Sequence, residues 1–244
     1  MLSAERVRSG LLATRFDDIQ VLAEIDSTNR AARRLADGGA PEGLVVIAEH
    51  QTAGRGRLGR SWDARPGTAV LMSVLLRPDL AMADLHLVTA AVALAGRTAC
   101  SEVAGFRPDL KWPNDLLVGD AKVAGILAEA SLGAVVVGMG LNVSAAPPGA
   151  ISVDEAAGRA VEREALVVAL LADLDGRMRH WDRVIDDYRS ACATIGRQVL
   201  VITPDGEMRG RAEAIDDRAR LVVTSDAGRR VVLAAGDVVH LRPA

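Results

Sequence analysis

With 244 residues, 50% of them hydrophobic, the chain is long enough to bury a substantial core and to hold one large or two modest domains. A net charge of −3 and a pI near 5.8 exclude a protein that wraps nucleic acid over its whole surface, so any anion site is local. The two cysteines, Cys100 and Cys192, lie far apart with no CxxC, which gives no support to a disulfide framework or a zinc site and suits a reducing, cytoplasmic setting.

The N-terminus carries arginines but no apolar signal core, and the most apolar run, LHLVTAAVALAG at 85–96, is too short to span a bilayer. Residues 16–25 predict a strand, and 27–39 a helix capped by Ser27 or Thr28 and stopped at Gly38 and Gly39. Strands follow at 43–50 and 68–76, so the segment AGRGRLGRSW between them is an interstrand loop. Asp84 is placed to cap an apolar helix to about Cys100. Residues 109–118, a turn at Gly119 and Asp120, then 121–130 and 134–143 continue the strand pattern.

A break at 145–150 precedes a helical region at 163–193. There Leu166, Leu170, Leu174, Met178, Trp181, Ile185 and Tyr188 recur at helical spacing, as a core-facing stripe does. From Gly196 the texture changes to short strands at 197–203, 208–216, 220–225 and 229–241, separated by turn signals at 204–206, 216–217 and 226–228. This predicts a small β-barrel at 194–244 appended to a larger domain at 1–193.

The loop contains a literal G-x-G-x-x-G at 54–59, but a Rossmann fingerprint must open a helix, and here Ser61, Trp62, Pro66, Gly67 and a strand follow. A kinase flap lies between strands, yet the sequence has neither H-R-D nor D-F-G. An RNA-binding module is the alternative of a different class, since Arg-Gly-Arg segments neutralise phosphates and Trp62 can stack on a base. Its flanks are apolar strands, however, which fits a small enclosed anion better than a polyanion. Arginines 55, 57, 60 and 65 exceed what one carboxylate needs and suit two anions held together.

Rare residues narrow the reading. Of 29 Lys plus Arg, only Lys111 and Lys122 are lysine, and the asparagines are Asn29, Asn114 and Asn142 alone. A chain that uses arginine elsewhere keeps lysine where a compact ammonium differs from a planar fork. Both lysines fall in one hairpin-like unit with Trp112, Asn114 and Asp115, and GMGLN ends on Asn142 behind glycines that let a ligand lie against a strand.

The segments DSTN, AEHQTAGRGRLGRSW, KWPNDLLV, KVAGILAE and GMGLNV, in that order, resemble the biotin protein ligases over nearly the whole chain. Lipoate and octanoate ligases share the general fold, and such an acyl-adenylate ligase stands as an alternative. The resemblance implies an α+β fold: a mixed-sheet catalytic domain of the biotin/lipoate ligase type with a C-terminal SH3-like barrel. It implies that biotin and ATP give biotinyl-5′-AMP and pyrophosphate with Mg²⁺ held mainly through phosphates, and that a lysine of a biotin carboxyl carrier domain of a carboxylase then takes the biotin.

Residue by residue, the resemblance places Ser27, Thr28 and Gln51 on biotin's ureido ring, with Asn29 also in the biotin site. Gly54, Arg55, Gly56, Arg57 and Gly125 join them around biotin, and Lys122 sits between carboxylate and α-phosphate. Arg55, Arg57, Arg60, Trp62, Lys111, Asn114, Lys122 and Asn142 face ATP or the adenylate, with Trp62 on the adenine. Lys122, Arg57 and Asp115 are the catalytic candidates. Asp115 partners a metal or the acceptor lysine, or pairs structurally with Lys111; Trp112 and both cysteines are read as packing residues. Leu58 stands where the family often has a basic residue. About fifteen residues precede the first strand, too few for a winged helix-turn-helix, so a ligase without DNA binding is expected. A monomer or homodimer that binds no membrane is expected too, with its 53–65 loop ordering only when its anions arrive.

Overall fold

The computed structural model describes every residue except 132, 204–205 and 242–244, so Pro204 and Asp205 of the expected turn lie outside the described residues. In chain order the elements are α1 (Ala4–Ser9), β1 (Ile19–Ile25), α2 (Thr28–Asp37), β2 (Val45–Gln51), β3 (Ala69–Leu76), α3 (His86–Ala99), β4 (Asp109–Lys111), β5 (Asp115–Val118), β6 (Ala121–Ser131) and β7 (Ala134–Asn142). Then come α4 (Val153–Ala157), α5 (Arg163–Arg177), α6 (Trp181–Ala191), β8 (Gln198–Thr203), β9 (Gly206–Ile215), β10 (Leu221–Ser225), β11 (Arg230–Leu233) and β12 (Asp237–His240).

Seven strands form one sheet in the order β1-β2-β3-β7-β6-β5-β4, with β1 and β2 parallel and the other neighbours antiparallel. One face carries α3, α5 and α6 over the main core; the other carries α2 over a smaller cluster of Ala31, Ala32, Leu44, Val46, Leu75 and Val136. Strand β3 is buried along its whole length, as expected of a central strand covered on both faces. Ser73 is the polar residue in that strand, on the α2 face with Leu75.

Three expectations change. Asp84 does not cap α3: it ends a 3₁₀ turn, Met82–Asp84, and pairs with Arg218 at 3.3 Å, while Leu85 takes the N-cap position. The apolar helix is longer than its sequence run, because a π-helical segment, Cys100–Ala104, extends it to Gly105 at φ +79. At 19 residues it is long and apolar enough to cross a membrane, but 67% of its most apolar stretch is buried inside the fold. The 163–193 region is two helices; Leu166, Leu170, Leu174, Met178 and Tyr188 are buried, with Trp181 and Ile185 packed beside them.

The five C-terminal strands form an antiparallel sheet, β11-β10-β9-β8-β12. The expected strand at 229–241 is split, and its halves occupy opposite edges of the sheet, as closure into a small SH3-like barrel requires. Barrel residues Val199, Val201, Ala212, Ile215, Leu221, Val223 and Val238 belong to the same apolar cluster as α3 and α5. Trp112 fastens this seam: buried, it donates from Nε1 to the Ala219 carbonyl at 2.9 Å, and its backbone N–H donates to Thr194 Oγ1 at 3.1 Å.

Candidate active site

A cleft opens between the N-terminus of α2, the ends of β6 and β7, and the arginine loop between β2 and β3. Its walls gather Ser27, Thr28, Asn29, Gln51, Arg55, Gly56, Arg57, Arg60, Trp62, Asn114, Asp115, Lys122 and Gly125 from four separate sequence segments. Gly54 stands just behind: its carbonyl accepts from the Trp62 N–H at 3.0 Å, and a Cβ there would meet the Trp62 carbonyl oxygen at 2.3 Å.

Two of the expected residues lie elsewhere. Lys111 faces a separate cleft with Asp120, Arg197 and His240 at the barrel seam. Asn142, at the end of β7, is buried and donates from Nδ2 to the Ile151 carbonyl at 3.3 Å. Arg65 also lies outside the cleft walls.

One end of the cleft is neutral and hydrogen-bonding. Gln51 Oε1 accepts from the Thr28 N–H at 2.8 Å and from Thr28 Oγ1 at 3.1 Å. The buried Ser73 hydroxyl lies 2.7 Å from both Thr28 Oγ1 and Asn29 Oδ1, and Asn29 Nδ2 donates to Glu129 Oε2 at 2.8 Å. Ser27 takes the N-cap position of α2 but its hydroxyl makes no cap bond, so the capping expectation fails for both residues: Thr28 is bonded sideways, and Ser27 faces the cleft. Gly138 makes this packing possible, since a Cβ there would lie 2.2 Å from Asn29 Oδ1.

The other end is charged. Lys122 Nζ is 2.6 Å from Asp115 Oδ1, Arg55 is 3.6 Å from Glu129, and Arg60 is 3.1 Å from Asp237. Asp115 therefore pairs with Lys122, although Lys111 stands opposite it in the β4–β5 register. The Lys122 contact is too bent to satisfy Asp115 Oδ1, which remains a buried acceptor without a hydrogen bond. Arg57 is the cleft-lining arginine held by neutral acceptors, Asn114 Oδ1 and the Gly236 carbonyl, each at 3.2 Å. Burial pushes its guanidinium below its ordinary value, Asp237 and Asp115 oppose that shift, and Arg60 adds to it.

A β-bulge aims the lysine. The β5–β6 register pairs Leu116 with Ala124 but Leu117 with Lys122, so Val123 is an extra residue in β6. Strict alternation would send Lys122 with the fully buried Ala124; the inserted residue turns it into the cleft beside Gly125. Gly125 and Gly140 are direct cross-strand partners. Cβ atoms on them would meet Trp62 ring atoms at 3.0 and 2.3 Å, so the indole lies against a glycine floor. Lys122 Nζ sits 5.5 Å from the Trp62 ring centroid, within cation–π range, and Trp62 Nε1 is buried without a hydrogen-bond partner.

The arginine loop is a closed hairpin. Gly56 N–H donates to the Arg60 carbonyl at 2.7 Å, and Arg55 bridges Ser61. Like-charge repulsion, the ground for expecting order only with ligand, is relieved by Glu129, Asp237 and the neutral acceptors of Arg57. Ser73, Glu129 and Asp237 were missed as site residues, whereas Gly138 and Gly140 are the glycines of GMGLN expected against a ligand. A serine inside VLMSVLL and a glutamate inside an apolar strand were available signals; Asp237 had none.

No group of three or more His, Cys, Asp or Glu among the described residues is placed to hold a metal ion. Asp115, with its unsatisfied oxygen, and Asp237 are carboxylates on the cleft wall. That donor set fits a Mg²⁺ ion that keeps one or two carboxylates and takes the rest of its shell from phosphates and water.

Residues 21–144 match the Biotin/lipoate A/B protein ligase family, and residues 194–241 match the Biotin protein ligase C-terminal domain. The biotin–acetyl-CoA-carboxylase ligase of Mycobacterium tuberculosis is 40% identical over 238 residues, covering 92% of this chain and 89% of the relative. The bifunctional ligase/repressor BirA of Bacillus subtilis is 31% identical, covering 96% of this chain and 78% of its own. In fold, the chain is similar to the biotin protein ligase of Aquifex aeolicus in complex with biotin and ATP, with a TM-score of 0.82 at 24% identity over 93% of this chain and 100% of that one. By family match, identity and coverage together, this chain belongs to the biotin protein ligase family.

Proposed function

We propose that the protein is an ATP-dependent biotin protein ligase whose cleft first makes biotinyl-5′-AMP and then hands biotin to a lysine of a carboxylase's biotin carboxyl carrier domain. The observation that carries this is the division of one cleft into a neutral end, Thr28, Asn29 and Gln51 backed by the buried Ser73, and a cationic end, Lys122, Arg55, Arg57 and Arg60. Biotin has that order of chemistry, a neutral ureido ring, an aliphatic chain and a carboxylate.

In the first step the biotin carboxylate oxygen attacks the α-phosphorus of ATP and pyrophosphate departs. Lys122 neutralises the two approaching anions, and Arg57 and Arg60 stabilise charge moving onto the phosphates. Mg²⁺ would add charge neutralisation on those phosphates, held with help from Asp115 or Asp237. In the second step the acceptor amine attacks the mixed anhydride's acyl carbon and AMP leaves. Asp115, held by Lys122 at 2.6 Å, is the carboxylate on the cleft wall that would take the proton from that amine.

We draw the catalytic domain at 1–193 and the barrel at 194–244, and assign the protein to the cytoplasm, where its two buried cysteines remain free thiols. Before β1 lies the six-residue α1, packed on α5 with Val7 buried, and it is given no role in operator binding. The test is transfer of labelled biotin to a carrier domain. Label is expected on the target lysine with biotin and ATP together and not on the Lys→Arg carrier; equal labelling of both carriers, or labelling by lipoate in place of biotin, contradicts the assignment.

A further inference from the structure

A second cationic recess lies among the helices that cover the other face of the sheet. Arg97 and Thr98 of α3, Ser101 of the π segment, Arg107, Arg177 at the end of α5 and Asp187 of α6 line it, and none of them lines the cleft described above. It measures about 450 Å³.

Its guanidiniums are not equivalent. Arg177 is neutralised in place, with Nε 2.5 Å from Asp173 Oδ2 and Nη1 2.8 Å from Asp187 Oδ2. Arg97 and Arg107 have no carboxylate at ion-pair distance among the described residues, and Arg97 Nε is buried without a hydrogen-bond partner. Burial, then Arg107, hold the Arg97 guanidinium below its ordinary value; Asp109 pulls it back and Arg177 pushes it further. A buried donor without an acceptor and two cations facing one recess are both costly, and an anion between them relieves both costs.

The hydroxyls point to the same kind of ligand. Thr98 Oγ1 accepts from Arg177 Nη2 at 3.5 Å and Ser101 Oγ accepts from Arg107 Nε at 3.4 Å, while neither O–H donates to an acceptor among the described residues. Ser101 sits in the π segment, a wide turn found mostly at functional sites. Glu102, the other carboxylate of the lining, is exposed and pairs with neither arginine. Donors thus converge here from two open guanidiniums and two hydroxyls. A carboxylate has one charge and two oxygens in a plane, whereas a phosphate dianion has the second charge and the tetrahedral oxygens that such a donor set needs.

We propose that this recess is a phosphate site, holding a phosphate dianion that is free or carried as a monoester. Arg97 and Arg107 grip it, Thr98 and Ser101 donate to its remaining oxygens, and Arg177, fixed by its two aspartates, holds Thr98 in place. The recess is wider than a phosphate ion, which leaves space for the organic group of an ester. It stands apart from the cleft and takes no part in the adenylation read there.

Inorganic phosphate titrated into the ¹⁵N-labelled full chain, at an ionic strength held constant with chloride, reads the site directly. The Arg97 Nε–Hε resonance, identified by its loss in Arg97→Gln, is expected to move saturably with phosphate and to stay still with chloride. Arg107→Gln, at an exposed position, should weaken that response about tenfold or more, the worth of a charged hydrogen bond, with biotin-dependent pyrophosphate exchange at the wild-type rate. Lys122→Ala should leave the response unchanged, which separates this site from phosphate bound in the cleft. Phenyl phosphate that binds at least as tightly as inorganic phosphate assigns the recess to an ester, and phenyl phosphate that is refused while inorganic phosphate binds assigns it to the free ion. An Arg97 resonance that does not move overturns the proposal, as does one that responds equally in Arg107→Gln and wild type, or to acetate as strongly as to phosphate.

Discussion

Ser73 shows how one buried hydroxyl organises a binding end. It is fully buried and bridges Thr28 and Asn29, which themselves reach Gln51 and Glu129. Removing it leaves buried polar atoms short of a partner, a loss of about 1–3 kcal/mol. Ser73→Ala is expected to raise the KM for biotin by roughly five- to a hundredfold, by conversion of that energy, with the KM for ATP nearly unchanged; steady-state kinetics with each substrate varied checks it. At this scale the sequence was legible where chemistry made a residue rare. Lys122 stood out as one of two lysines and does line the cleft. Lys111 stood out equally and faces the barrel seam, because rarity reports an unusual requirement without saying where a strand points its side chain.

Among the elements, strands and their order in the chain followed from apolar runs and turn residues, and their pairing did not. The β6 bulge that aims Lys122 adds a single residue, Val123, whose type is ordinary for any strand. The end of α3 near Cys100 was legible, but the π segment Cys100–Ala104 that continues the helix past it was not, because nothing in its residue types marks a departure from the α form. The arginine loop was legible as an anion loop from its composition. The contacts that hold it, Glu129 from β6 and Asp237 from β12, come from positions 74 and 177 residues away from Arg55 and Arg60, and no local pattern encodes such distances. Gly125 and Gly140 were visible as glycines, while their direct pairing across β6 and β7, which makes them a floor for Trp62, required the register.

At the scale of the molecule, the barrel and the catalytic domain share one core and a polar seam, so the two are expected to unfold together. His240 reports on that seam. Its ring lies 2.9 Å from Thr194 Oγ1, and burial, then Lys111 and Arg197, push its pKa from 6.5 to about 4 against the pull of Asp120. A depressed histidine pKa means that the unfolded chain takes up a proton that the folded one refuses. Its share of stability is full above about pH 6.5 and is lost as pH falls toward 4. For a partly exposed ring this amounts to on the order of 1 kcal/mol after solvent screening. His240→Gln should flatten part of the decline in melting temperature between pH 6.5 and 4; His86, lowered by burial and by Arg220 and Arg57, keeps the remainder in the same direction. An unchanged slope in the variant would show that the seam histidine does not titrate in that window.

The central claim is that Lys122 brings a carboxylate and the α-phosphate of ATP together at the cationic end of this cleft. Exchange of labelled pyrophosphate into ATP, with biotin, lipoate or no acid added, tests it in wild type and Lys122→Ala. The account predicts exchange that requires biotin and falls by about 10²–10³ in the variant, the usual effect of removing one preorganised charge-stabilising group. Exchange that persists in Lys122→Ala, or that needs no biotin, would contradict it.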